Sequence, residues 1–123
     1  MRKSAISAML ALTILIFSVP SQAKLVFLSG TVLTVFVGGV ARPAESVTFI
    51  MSFAPQTTGC TNAGGGNQVF VFDPTTITDA QTRKDILALI MASRTSGVPL
   101  TVDWDDAGAH CAGGFPVPLN VGL

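Results

Sequence analysis

The sequence predicts a mainly β protein carrying one helix. Three observations lead there. Most of the chain beyond its start consists of short apolar segments, several alternating at period two, bounded by glycine, proline and polar clusters. One stretch, Thr78 to Asp106, passes from helix signals through a glycine directly into an alternating strand. Two cysteines, Cys60 and Cys111, stand far apart in a chain of 123 residues.

Residues 1–23, MRKSAISAMLALTILIFSVPSQA, form a separate unit. Arg2 and Lys3 precede an apolar run from Ala5 to Val19, then helix-breaking Pro20 and small Ser21 and Ala23. This is the pattern of a signal peptide cleaved between Ala23 and Lys24, and it predicts a secreted or periplasmic product of one domain, residues 24–123. The apolar run is shorter than the roughly 20 residues a spanning helix needs, so no membrane span is expected after cleavage. Without the leader, five basic residues face seven acidic ones, a net charge of −2. That balance and export argue against nucleic-acid binding, which needs a basic surface.

In an oxidising compartment, Cys60 and Cys111 predict one disulfide. It closes a loop of about 50 residues, for which chain entropy gives roughly 4 kcal/mol. One His and two Cys fall short of a structural zinc set, and the spacing is not C-x-x-C, so neither a metal nor a cofactor is expected.

The first strand is Leu25 to Val37, apolar on both faces, with Gly30 as a bend or bulge and Gly38-Gly39 as its end. Ser46 to Phe53 alternates, with Val47, Phe49, Met51 and Phe53 facing the core. A polar loop, APQTTGCTNAGGGN, follows; its glycines precede neither a lysine nor a helix, so it is no phosphate cradle. Gln68 to Phe72 is the third strand, closed by Asp73-Pro74. Thr78 and Gln81 fit a capping box, and Asp79 suits the first turn of a helix. Ile86, Leu89, Ile90 and Ser93 form its buried stripe, widened by Leu87 and Met91, while Arg83, Lys84 and Arg94 lie outside or at the margin. Gly97 caps the helix and Pro99 prevents its continuation. In the fourth strand Val98, Leu100, Val102 and Trp104 face the core, and Thr101 and Asp103 face away. The fifth, Phe115 to Leu123, holds Pro116 and Pro118 and belongs at an edge.

Three strands, a helix and two strands make the element order of an OB-fold, a five-stranded barrel whose helix lies between strands 3 and 4 and seals one end. A β-sandwich carrying a packed helix is the competing architecture. Apolar residues on both faces of strands one and three exceed what a small barrel buries, which predicts association.

The leader, the mature domain of about 100 residues, the helix ending in LALIMASRTSGVPLTV and a cysteine shortly after the next strand together resemble the B subunits of bacterial A-B-pentamer toxins. Among these the resemblance is to the subtilase cytotoxin and pertussis-like binding subunits. The resemblance covers about half of the mature chain and centres on Ala92, Ser93, Ser96, Gly97 and Pro99. It implies an exported OB-fold, a homo-oligomeric ring such as a pentamer, and recognition of a glycan or a partner protein. Those subunits use serine and tyrosine hydroxyls for sialylated sugars; this chain contains no tyrosine, and no site residue is carried across.

Candidate binding residues concentrate in DWDDAGAHC, where Asp103, Trp104, Asp105, Asp106 and His110 precede Cys111. An aromatic face beside carboxylates suits a sugar, although the alternation places Trp104 in phase with buried Val102 and Leu100. Three aspartates without a distant bidentate glutamate do not make an EF-hand, and a solvated acidic loop accounts for them as well. No nucleophile elbow accompanies the single His. The chain is therefore expected to be a non-catalytic binding or assembly module, the alternative being a monomeric periplasmic OB-fold protein with a structural or stress-related role.

Overall fold

The computed structural model describes residues 25–39, 42–56, 59–61, 65–105 and 110–123; the predicted leader lies outside them. In chain order the elements are β1 (Leu25–Gly30), β2 (Val32–Val37), β3 (Val47–Met51), β4 (Val69–Phe72), α1 (Ala80–Ser96), β5 (Leu100–Asp105), β6 (Cys111–Ala112), β7 (Phe115–Pro116) and β8 (Asn120–Gly122). The protein is mainly β with one helix, and that helix follows β4.

The long first strand is divided at Thr31 into β1, which pairs antiparallel with β5, and β2, which pairs antiparallel with β3. Gly30 sits at the joint because a Cβ there would lie 2.8 Å from Phe53 Cδ1 and 2.9 Å from Ser52 Oγ. Reciprocal bonds, Ser52 N–H to the Thr31 carbonyl and Thr31 N–H to Ser52 Oγ, both 2.9 Å, fasten the joint to the end of β3.

Hydrogen bonding gives two three-stranded sheets, β1-β5-β8 and β2-β3-β4, and a short β6-β7 ribbon. The sheets are not closed into the expected barrel. The prolines supply the reason: lacking N–H groups, Pro116 and Pro118 break the predicted fifth strand. Its first part turns back on β6 through Gly113 and Gly114, both left-handed, and only its end, β8, reaches β5. Leu119 and Leu123, in phase along the sequence with buried Val117, are consequently exposed.

The inner faces of both larger sheets share one core. Phe49 stacks on Phe70 (5.2 Å between centroids), Phe72 meets Phe49 edge-on (6.5 Å), and Phe70 leans on Trp104 (5.3 Å). Burying a Phe contributes about 1.5–3 kcal/mol, so each of these rings is a substantial part of the hydrophobic stabilisation. β4 buries both of its faces, contrary to the expected surplus; the exposed apolar residues of the strands gather instead on β1 and β2, as Phe27, Leu33, Phe36 and Val37.

The helix starts one residue later than the capping box implies. Asp79, not Thr78, is the N-cap: its carboxylate accepts from Thr82 N–H at 2.8 Å, while the Gln81 amide donates forward to Asp85. Ile86, Ile90 and Ser93 are buried as expected, with Leu87 and Leu89 half-buried. Met91 and Val98 are exposed: Met91 borders an open groove beside Thr34, Val35 and Val37 of β2, and Val98 lies in the turn between α1 and β5. The Cys60–Cys111 disulfide is formed, with 51 residues of separation, and links the loop after β3 to β6. Among the described residues no helix is long and apolar enough to cross a membrane.

Candidate sugar-binding face

Strand β5 places the predicted site residues on two opposite faces, since successive side chains alternate. Trp104 points inward with 0% exposure, stacked on Phe53 at 6.4 Å and tilted against Phe70. A ring without exposed surface cannot stack on a ligand from solvent, so Trp104 is a core residue and not the expected aromatic platform. Its indole N–H finds no hydrogen-bond partner among the described residues.

Asp103 and Asp105 occupy the outward face. Register builds a row across three strands there: Phe27 of β1 opposes Asp103, and Asp103 opposes Asn120 of β8. Residues so paired lie about 4.5–5.5 Å apart and share a face. Phe27 is 68% exposed. Asn120 Nδ2 donates to Asp103 Oδ2 at 3.1 Å, leaving Oδ1 and the Asn120 carbonyl oxygen as acceptors. The adjacent row holds Ser29 and Thr101, whose hydroxyls are 2.6 Å apart, and ends at Gly122, where a Cβ would meet nothing within 4 Å.

Asp105 lies at the other end of this face. Its side chain is 12% exposed and its Oδ2 is 3.7 Å from His110 Nδ1, whose ring is 49% exposed. That separation suits an ion pair with protonated His but is too long for a hydrogen bond. Asp106, the third carboxylate of the predicted cluster, lies outside the described residues. Cys60 and Cys111 anchor the adjoining segment through the disulfide. No group of three metal-ligating side chains occurs among the described residues.

The face therefore combines one exposed aromatic ring, an amide-oriented carboxylate and two hydroxyls. Such a set satisfies a polyol, with the ring covering a C–H face and the polar atoms exchanging hydrogen bonds with hydroxyls. Phe27 and Asn120 are absent from the sequence-based candidates. In a strand apolar on both faces nothing marks Phe27 until the register with Asp103 is known. Asn120 did carry a signal, as the one polar side chain within the final apolar segment. No known protein family, curated protein or solved structure matches the chain.

Proposed function

We propose that the chain is an exported, non-catalytic binding module that takes a glycan on the outer face of β1, β5 and β8. The observation that carries this reading is the row of Phe27, Asp103 and Asn120, in which a largely exposed aromatic ring stands beside a hydrogen-bonded carboxylate and amide. The pairings β2-β3-β4, β1-β5 and β5-β8, with α1 between β4 and β5, support an OB-like arrangement whose closure is incomplete. Within this reading the protein resembles a toxin B subunit: it leaves the cytoplasm by its leader, and exposed Leu33 and Phe36 of β2 join copies into a ring.

The test is a glycan-array screen of oxidised protein beginning at Lys24, followed by titration of the best ligand. Phe27→Ala is expected to weaken binding about tenfold, equivalent to about 1.4 kcal/mol, while shifting stability by no more than about 0.5 kcal/mol because the ring is exposed. Asp103→Asn is expected to weaken binding as well. Absence of any glycan ligand, or an unchanged affinity for Phe27→Ala, overturns the reading. Light scattering decides the assembly: a discrete ring supports the toxin-like form, and a monomer at micromolar concentration removes it, leaving the monomeric periplasmic role.

A further inference from the structure

A second candidate site lies away from the residues of the proposed sugar-binding face. Between the first half of α1 and strands β2 and β3 a cleft of about 310 Å³ opens, with Val37, Val47 and Leu87 as its apolar wall and Glu45, Arg83 and Lys84 as its polar groups. This volume falls at the low end of the roughly 300–1,000 Å³ of small-molecule sites.

The electrostatics of the cleft are unusual in one respect. The Arg83 side chain is only 12% exposed, and one of its two terminal nitrogens is fixed by backbone alone: Nη1 donates to the carbonyls of Ile77 (2.7 Å) and Thr78 (3.0 Å). Its carboxylate partner, Glu45, meets Nη2 at 3.0 Å from a side chain that is 70% exposed. Glu45 is also the one non-glycine residue at positive φ (63°) among the described residues. A left-handed backbone at a residue with a Cβ is strained and collects at functional positions. The anchored cation is thus satisfied by a carboxylate that is loosely held and largely in water. Lys84 adds a second positive charge and makes no ion pair among the described residues. Among the residues lining the cleft two cations stand against one carboxylate, beside an apolar wall; the Asp79 carboxylate also feels the charge of Arg83 but is itself engaged by the Thr82 N–H and hydroxyl.

We propose that this cleft binds a small amphipathic monocarboxylate of the medium-chain fatty-acid type. The ligand's carboxylate replaces Glu45 on Arg83 and is approached by Lys84, while its alkyl chain covers Val37, Val47 and Leu87. Guanidinium groups favour carboxylates through paired N–H donors, so the incoming monoanion keeps Arg83 paired while Lys84 supplies a second positive charge beside it. Glu45 then acts as an internal competitor that holds the site closed to weaker anions. This site shares no residue with the proposed sugar-binding face and stands or falls independently of it.

The experiment titrates oxidised protein, beginning at Lys24, with octanoate, octan-1-ol and acetate, following backbone amide signals of α1 by NMR. Octanoate is expected to give saturable shifts at Lys84 and Leu87, with octan-1-ol at least tenfold weaker and acetate weaker still. Lys84→Ala is expected to lower octanoate affinity severalfold, and Glu45→Gln to raise it severalfold; both residues are exposed, and an unchanged spectrum elsewhere verifies the fold. Equal binding of octan-1-ol and octanoate, no saturable shift with octanoate, or a Glu45→Gln variant that binds no more tightly overturns the proposal.

Discussion

Asp73 shows how one buried carboxylate stabilises a turn. It follows β4, and its Oδ1 accepts from Thr75 N–H (2.8 Å), the Thr75 hydroxyl and Thr76 N–H (3.0 Å). Burial alone raises its pKa, but the hydrogen bonds from Thr75 and Thr76 outweigh that effect and hold it below its ordinary 3.8. Because the folded value is the lower one, the contribution is complete above about pH 4 and is lost as pH falls through the folded value. Asp73→Ala is expected to cost about 1–3 kcal/mol by orphaning these donors. A urea midpoint measured between about pH 5 and pH 2 should fall less steeply for Asp73→Asn than for the parent chain. The sequence reveals Asp73 only as a turn residue before proline; its bonds to Thr75 and Thr76 emerge once the turn is built. The candidate site follows the same rule. Asp103 was legible from alternation, and alternation also placed Trp104 in phase with the core, but the partners of Asp103 depend on strand register, which no local pattern encodes.

Two glycines bound elements for different physical reasons, and substitution should separate them. Gly97 ends α1 at φ 75° with its N–H donating to the Ser93 carbonyl, and a Cβ there would touch nothing. Gly97→Ala therefore pays only the left-handed backbone, about 1 kcal/mol, and Gly97→Asn less. Gly30 has no such backbone demand but abuts Phe53 and Ser52, so Gly30→Ala must displace a core ring, at about 1–3 kcal/mol. Chemical denaturation of the three variants checks the order. Both glycines were visible as punctuation in the sequence, and helix α1 was readable nearly to the residue because its stop signal is local. The division of the first strand at Thr31 and the breaking of the last at Pro116 and Pro118 were less so. The prolines exclude a central ladder, but where the freed segment turns depends on the β6 hairpin and on the space left beside β5.

At the scale of the whole molecule, the disulfide ties the loop after β3 to the β6-β7 ribbon. Chain entropy for a loop of this length gives about 4 kcal/mol, so reduction should lower unfolding free energy by up to that amount, measured by urea titration with and without reductant. The pairing was legible from the sequence because there were only two cysteines to join. Closure of the barrel was not, since it is decided by contacts between segments remote in sequence.

The same bond has a mechanical side. Cys60 and Cys111 enclose β4, α1 and β5 within one covalent loop. Once the hydrogen bonds from β3, β1 and β8 to β4 and β5 have parted, a force pulling on the two ends of the chain runs through the bond and bypasses the segment inside it. With a separation of 51 residues, the oxidised protein should reach a contour length shorter by roughly 170–180 Å than the reduced one, at about 3.3–3.6 Å per residue. A molecule tugged by its ends would first lose the pairing of terminal strands β1 and β8 with β5, while the helix and the strands on either side of it could not be drawn out in line until the sulfur bridge is cut.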